Sequence, residues 1–311
     1  MEERLRFLLR YAILAPSSHN TQPWKFRIRG STVDLFADKT RWLRVADSDQ
    51  RELHISLGCT VENLLVAAEH FQLSHQVDLL SQQEQDHCAT VSFTSDSEPT
   101  GSRPAVLFDA ITERSTSHSA FEDRAVEPEV LRQMEDLCLE PELQLLFTDD
   151  HTTKRHVDEL VVRADALQFA DPEYREELGY WLGQGVFGQS WLMSKIGQLA
   201  VTYVNMSKKV ARDDSKLLMS APILGAIASK QDDRVSQIRS GMVYERVALM
   251  AASHGLAIQP MSQILELAEL RSELAELMPV PDMVPQHTFR LGFAEPESAQ
   301  SPRRPLSEVL I

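Results

Sequence analysis

The densest group of ligand-binding side chains runs from Ala15 to Trp24, with the sequence Ala-Pro-Ser-Ser-His-Asn-Thr-Gln-Pro-Trp. It follows an amphipathic helical pattern and carries hydroxyl and amide groups that secondary structure does not use, so they can face a ligand. Asn20 and Gln22 each offer a donor and an acceptor, which suits the edge of a heterocycle. The same composition also fits an Asx or Ser/Thr turn that satisfies its own backbone, and composition alone favours that turn.

Other motifs do not predict a site. Gly183 to Gly188 fits G-x-G-x-x-G, but residues 171–180 before it are charged and helical in pattern, whereas a dinucleotide loop follows a buried strand. The histidines include no H-E-x-x-H, and His151 and His156 are spaced i, i+5, so they do not share a helix face. Ser190 lacks the G-x-S-x-G context of a serine nucleophile, and no P-loop is present. We expect neither a metal site nor a catalytic nucleophile.

Composition limits the classes of function. The chain has 311 residues, of which 43% are hydrophobic and 25% charged, as is typical of a globular protein of one large or two modest domains. Lys and Arg number 31 against 46 Asp and Glu, which gives a net charge of −15. A surface of that sign repels nucleic acid and anionic lipid. We therefore expect no nucleic-acid partner and no membrane partner.

Neither a membrane span nor an export signal is indicated. The longest apolar stretch, 55–68, is interrupted by polar residues and falls short of the roughly 20 that cross a bilayer. Residues 1–10 carry charges where a signal peptide needs a basic end followed by an apolar core. Cys59, Cys88 and Cys138 are an odd number without C-x-x-C spacing, which predicts buried thiols. These features predict a cytoplasmic protein.

The hydrophobic pattern predicts the elements that position the Ala15–Trp24 stretch and its surroundings. The first part of the chain is expected to form helices over 5–13 and 52–71, a hairpin of 24–28 and 33–36, and a strand over 91–94, followed by a connection over 96–104. The second part is expected to form helices over 128–137, 154–169 and 241–254, strands over 143–148 and 288–293, and a tail over 302–311. Residues 180–219 show no clean period, which favours a mobile cap over a pocket.

One sequence repeat organises the chain. Gly58 to Leu73 aligns with Gly241 to Leu256 at a single offset, 241 − 58 = 183, with Gly, Glu, Ala and Leu identical. Both copies are apolar helices that begin with small residues. The repeat predicts two related α+β halves, 1–104 and 105–311, whose long central helices pack together as a pseudo-dimer.

The Ala15–Trp24 stretch resembles the flavin-contacting loop of the nitroreductase family, whose form P-S-S-x-N-x-Q-P-W is matched from Pro16 to Trp24. Three further segments resemble family elements: 114–118 the arginine-bearing segment at the flavin ribityl and phosphate, 260–262 the loop beside flavin N5, and 303–304 the basic C-terminal phosphate contact. The resemblance therefore implies flavin contacts from Pro16, Ser17, Ser18, Asn20, Gln22, Arg114, Ser115, Thr116, His118, Pro260, Met261, Ser262, Arg303 and Arg304.

The resemblance implies a nitroreductase-like α+β fold and an FMN cofactor. It also implies an oxidoreductase in which NAD(P)H reduces the FMN and an electron-poor small molecule, a nitroaromatic or a quinone, then accepts the hydride. No side chain need be catalytic, because flavin N5 carries the chemistry. Ordinary members are shorter homodimers, whereas each motif occurs once here. This chain therefore resembles the longer, fused branch of Acg-type proteins, and we expect one site per chain and a monomer.

Two alternatives stay open at this stage. The first is a protein that stores or sequesters FMN beneath the cap at 180–219, with large apolar side chains covering the flavin ring. These are Trp181, Trp191, Met193, Met206 and Met219. The second is a flavin-free relic, because Ser115 and His118 stand where the family carries basic residues. His118 is only partly charged at neutral pH, so the phosphate is expected to rely on Arg114, Arg303 and Arg304.

Overall fold

The computed structural model describes residues 1–80, 84–95, 101–186, 191–204, 206–295 and 301–311, without the side chains of 191 and 192. Within these ranges the chain forms two four-stranded antiparallel sheets and a set of α-helices that pack between and around them. This architecture confirms the predicted α+β class. In the same ranges, no helix is long and apolar enough to cross a bilayer, and no group of side chains is arranged to hold a metal ion.

The first half places one long helix beside one sheet. Helix α1 buries Leu5, Leu8 and Leu9 on one face, as its i, i+3, i+4 spacing predicts. The sheet order is β1-β2-β4-β3, and the hairpin turns at Gly30, whose φ of 61° suits glycine. The edge strand β3 is polar and half-buried, so its sequence carried no strand signal. The elements are α1 (Glu2–Ala12), β1 (Trp24–Arg29), β2 (Thr32–Ala37), α2 (Arg51–His70), β3 (Ser74–Leu79) and β4 (His87–Thr94).

The second half repeats this strand order as β5-β6-β8-β7, with four helices inserted between its first two strands. Its elements are α3 (Val106–Ala110), α4 (Pro128–Glu135), β5 (Leu143–Thr148), α5 (His151–Ala170), α6 (Pro172–Gly183), α7 (Trp191–Tyr203), α8 (Ser207–Ser220), β6 (Ile223–Ser229), α9 (Arg234–Ser253), β7 (Ala257–Pro260), α10 (Ala268–Leu277), β8 (Val284–Gly292) and α11 (Leu306–Val309).

The two repeat helices, α2 and α9, cross at the glycines that open the sequence repeat. A Cβ atom on Gly58 would lie 1.9 Å from the carbonyl oxygen of Ile238, and one on Gly241 would lie 1.9 Å from that of Ile55. Ile55 and Ile238 are themselves separated by the repeat offset, 238 − 55 = 183. The contact is therefore reciprocal, which supports the duplication, although the pseudo-dimer itself stays a prediction.

The described residues of 180–219, the region expected to form a mobile cap, are largely helical. Helices α6 and α7 approach closely, because Gly179 lies against Thr202 and Gly183 against Gln198. Helix α8 packs along α5, with Ser215 donating to Asp158 Oδ2 at 3.0 Å. The hydrophobic pattern of this region shows no clean helical period in the sequence, because its helices pack on one another as well as on the rest of the molecule. The Gly183 motif coincides with the end of α6, and its last two residues, like Ser190, lie outside the described residues.

The two halves share one hydrophobic core, which extends from Leu5 in α1 to Val309 in α11. The C-terminal tail reaches back across the molecule, and Leu310 bridges to Phe26 of β1. The boundary at residue 104 stays a prediction, as does the monomeric state. Cys59 and Cys88 are buried and Cys138 half-buried, and all three are free thiols, as predicted.

Candidate functional site

The loop between α1 and β1 has an unusual backbone. His19, Asn20 and Gln22 have φ angles of 48°, 50° and 52°, in the left-handed region that non-glycine residues seldom adopt. Ser17 Oγ holds the loop by accepting from the Gln22 N–H at 2.9 Å, and Ser18 Oγ donates to Glu52 Oε2 at 2.7 Å. Strain of this kind persists only where neighbouring groups fix it, and it concentrates at ligand sites.

This loop forms one wall of a cavity of about 590 Å³ between the two halves. Cofactor and substrate sites in proteins occupy roughly 300–1,000 Å³, so the cavity has the size of such a site. Most of the predicted contact residues meet here although they are far apart in sequence. They are Pro16, Ser17, Ser18, Asn20, Arg114, Ser115, Thr116, His118, Pro260, Ser262 and Arg303.

Arg114 is a cationic side chain that lines the cavity and is only 6% exposed. Within the described part of the chain its Nε and Nη1 atoms have no hydrogen-bond partner, and Nε lies 3.9 Å from Glu245 Oε1. Leaving guanidinium donors buried and unpaired is costly, so the geometry favours a ligand that accepts from them. An oxyanion such as phosphate has the required charge and acceptors.

Arg303 provides a second cation in the same cavity. It donates from Nη2 to the carbonyl of Leu14 at 3.1 Å and from Nη1 to Asn20 Oδ1 at 3.3 Å, which ties the tail to the loop. Burial and the nearby Arg114 lower the pKa of Arg303 to about 10, so it stays charged at neutral pH. Burial also raises the pKa of Glu245 to about 7 despite Arg114, so this carboxylate neutralises the pair only in part. The region keeps net positive charge for an anion.

Three of the predicted contact residues do not line this cavity. Gln22 instead holds the tail, because its Oε1 accepts from the Arg304 N–H at 2.7 Å. The Arg304 side chain turns to Asp38, at 3.2 Å, and does not enter the cavity that Arg114 and Arg303 line. Met261 faces a separate apolar cavity beside β8, where its carbonyl accepts from Thr288 Oγ1 at 2.6 Å. Trp24 is fully buried in the core.

Arg304→Ala should loosen the tail without removing a cavity-lining side chain. The change deletes bonds to the Gln22 carbonyl and to Asp38, and charged hydrogen bonds contribute about 1.5–3 kcal/mol each. We expect faster cleavage of the C-terminal segment in limited proteolysis and weaker retention of any ligand that Arg303 holds. Wild-type cleavage rates would contradict this anchoring role. Arg155→Ala, at an exposed site on α5, is the control.

Sequence reasoning missed several lining residues. Glu52 opens α2, and Tyr244 and His287 lie on α9 and β8. Burial would raise the pKa of Glu52, but Arg51, His287 and Ser18 together hold it below its usual range. Within the described residues, Tyr244 Oη and His287 Nε2 lack hydrogen-bond partners. No local motif marks these positions, because only the packing of α2, α9 and β8 brings them to the cavity.

The cap contributes to the cavity differently from the expectation. The helices over the cavity add six lining residues, of which Asp165, Gln168 and Asp214 are polar and Phe169, Tyr174 and Val210 are aromatic or aliphatic. Only Val210 and Asp214 lie within 180–219, whereas Trp181 packs beneath Arg41 and Met219 packs in a separate apolar cluster. Asn20 Nδ2 donates to the carbonyl of Val186 at 2.6 Å, which joins the cap to the loop. The described residues of the cap therefore line the cavity with one acidic and one aliphatic side chain and not with the large apolar side chains expected.

Comparison with known proteins finds relatives that match nearly the whole length of this chain. A putative NAD(P)H nitroreductase of Mycobacterium tuberculosis is 26% identical over 99% of this chain and 91% of its own. The putative NAD(P)H nitroreductase Acg of the same organism is 28% identical over 98% and 94%. The probable NAD(P)H nitroreductase PigM of Serratia is 23% identical over 99% and 93%. These relatives confirm the resemblance to nitroreductases that the motifs indicate.

No family model matches the chain. Among solved structures, the FMN-dependent nitroreductase NfnB of Mycobacterium smegmatis in complex with NADPH superposes with a TM-score of 0.45. The superposition covers 65% of this chain and 96% of that one at 16% identity.

Proposed function

We propose that the protein is an FMN-binding oxidoreductase of the nitroreductase type, which passes hydride from NAD(P)H through FMN to an electron-poor acceptor. The observation that carries this proposal is that two buried guanidinium nitrogens of Arg114 have no hydrogen-bond partner among the described residues, in a cavity walled by the Pro16–Asn20 loop. The names of the whole-chain relatives support the same activity.

Residues that line the cavity can be matched with individual chemical groups of FMN. Arg114 would donate hydrogen bonds to the phosphate dianion, and Arg303, whose nitrogens already donate to Leu14 and Asn20, would add positive charge beside it. The hydroxyl oxygens of Ser17 and Ser18 keep acceptor capacity toward the ribityl chain or the ring edge. Bound FMN supplies the hydride-accepting chemistry at N5, and the protein's task is to bind it, orient it and exclude water. No side-chain nucleophile is required.

The test of this proposal is anaerobic reduction of the purified protein. We expect NADH or NADPH to bleach the flavin absorbance rapidly, and an added nitroaromatic or quinone to restore it, because the cofactor cycles between two substrates. A protein that carries FMN but is bleached by dithionite and by neither nicotinamide cofactor would overturn the oxidoreductase proposal.

That second outcome would favour a flavin-sequestering protein. The bond from Asn20 to the Val186 carbonyl and the helices over the cavity favour this alternative, because they restrict access to the space beneath. The two functions therefore share the site and differ in whether the cap admits a nicotinamide. Stopped-flow measurement of the bleaching rate distinguishes slow opening of the cap from complete exclusion.

A further inference from the structure

A second group of side chains in the cavity has chemistry opposite to that of Arg114 and Arg303. Asp165 and Gln168 lie on α5, Asp214 lies on α8, and Gln263 and Glu266 lie on the segment between β7 and α10. All five line the cavity, and we call them the acceptor cluster. Three are carboxyl groups and two are amides, so the cluster is rich in hydrogen-bond acceptors.

Both amide nitrogens of the acceptor cluster donate to carboxyl groups of the cluster itself. Gln263 Nε2 is shared between Asp214 Oδ2, at 3.2 Å, and Asp165 Oδ1, at 3.4 Å. Gln168 Nε2 donates to Glu266 Oε2 at 2.5 Å. Each amide therefore points its NH₂ group at a carboxylate, which orients the Gln168 carbonyl oxygen away from Glu266.

Two acceptors are left over. Gln168 Oε1 and Asp165 Oδ2 have no hydrogen-bond partner among the residues that the structure describes. Gln168 is 5% exposed and Asp165 2%, so water does not satisfy them freely. Buried acceptors without donors are costly, and a ligand carrying N–H groups would remove that cost. The amide oxygen of Gln168 indicates a ligand with N–H groups, and it does so independently of the acidic side chains beside it.

We propose that the acceptor cluster binds a cationic, N–H-bearing head group, an amine or an amidine, on the substrate that exchanges electrons with the flavin. This inference rests on the proposed function for the identity of the reaction, but the binding preference is separate from it. An anionic head group would meet three carboxyl groups, which repel it once they ionise, and the cluster contains no arginine or lysine. The cluster therefore selects among electron-poor acceptors by the sign of their charge.

Titratable side chains on the elements around the acceptor cluster influence the pKa values of its carboxyl groups. Asp165 faces Asp214 and Asp158, and burial, then Asp214, raises its pKa to about 8. Burial raises the pKa of Glu266 to about 8, with Glu52 and Glu177 adding to the shift and Arg51 opposing it.

Asp214 is the third carboxyl group of the acceptor cluster. Burial raises its pKa to about 6, with Arg290 opposing the shift and Asp213 adding to it. Tyr174 also lines the cavity, and burial keeps its hydroxyl protonated. Between pH 6 and pH 8 the cluster thus gains negative charge, so a cationic ligand should bind more tightly as the pH rises through this range.

The test compares three nitroaromatic probes of similar size on the FMN-loaded protein: 4-nitrobenzylamine, 4-nitrobenzyl alcohol and 4-nitrobenzoate. Dissociation constants are measured from perturbation of the flavin absorbance, so no turnover is needed. At pH 8 we expect the amine to bind at least about tenfold more tightly than the benzoate, and this ratio to fall at pH 6. Equal affinity for amine and benzoate at pH 8 would overturn the proposal.

Two isosteric variants, Asp165→Asn and Glu266→Gln, test whether the preference for the amine comes from the acceptor cluster. Each should reduce the preference for the amine over the benzoate severalfold while FMN content stays at the wild-type level. Glu159→Gln, the same charge change at an exposed position of α5, should leave the preference unchanged. If Asp165→Asn or Glu266→Gln instead releases FMN, the cluster belongs to the cofactor and the proposal fails. Failure of the proposed function appears separately, as absence of FMN from the wild-type protein or as bound flavin that neither NADH nor NADPH bleaches.

Discussion

Arg114→Met is expected to weaken FMN binding by about 10- to 150-fold, because the change removes at least one charged hydrogen bond worth about 1.5–3 kcal/mol. Two nitrogens of Arg114 have no hydrogen-bond partner in the part of the chain that the structure describes, and they are the donors available to make that bond. The dissociation constant is measured by fluorescence titration of the apoprotein with FMN. An unchanged constant would remove Arg114 from the cofactor site.

Two further variants separate a local effect from a loss of fold. Arg114→Lys keeps the charge but loses the planar fork, so it should recover part of the affinity and not all of it. Arg155→Met removes an exposed arginine of α5 and should bind FMN like the wild type. Urea unfolding of all three proteins shows whether Arg114→Met also destabilises the chain through Glu245, the carboxylate left behind in the core.

Gly58→Ala is expected to lower the free energy of unfolding by about 3 kcal/mol or more, near or beyond the usual upper end for overpacked cores. The added methyl group would lie 1.9 Å from the Ile238 carbonyl oxygen and 2.9 Å from Gly241 Cα. Both obstacles are backbone atoms, so no side-chain rotation can relieve the clash, and α2 and α9 must separate. Gly241→Ala should cost a similar amount, because its Cβ would meet the Ile55 carbonyl at the same distance.

The matched control is Gly197→Ala in α7, where an added Cβ meets nothing within 4 Å. Alanine is favoured over glycine in a helix, so this variant should be neutral or more stable by up to about 1 kcal/mol. Urea denaturation followed by circular dichroism measures all three proteins. If Gly58→Ala unfolds within about 0.5 kcal/mol of the wild type, the close crossing of α2 and α9 is wrong.

How far the sequence predicts the fold depends on the strength of each local pattern. Helix α1 and strand β5 were predicted closely, because their apolar residues repeat with the period of the element. Strand β3 carries polar residues on an edge, and β7 is four residues long, so neither stands out from its surroundings. Helix α9 begins seven residues before its predicted start, at a capping bond from Ser236 N–H to Asp233 that the apolar pattern does not reveal.

The residues of the candidate site likewise fall into those that the sequence could predict and those that it could not. Residues 16–20 of the loop motif line the cavity together because neighbouring positions share one turn, and Arg114 and Arg303 stood out because they resemble family phosphate contacts. Gln22 and Arg304 could not be placed, because whether a polar side chain faces a ligand or a neighbouring strand depends on tertiary packing. Asp165 and Glu266 belong to elements 100 residues apart that only the folded chain brings together.

The central claim, that one composite cavity in each chain holds FMN, is tested most directly by the near-ultraviolet and visible absorption spectrum of the freshly purified protein, with the released chromophore identified by mass. We predict the paired bands of oxidised flavin and one FMN released per chain. A colourless protein that also takes up no added FMN would contradict the account, because Arg114 and its cavity would then have no such ligand.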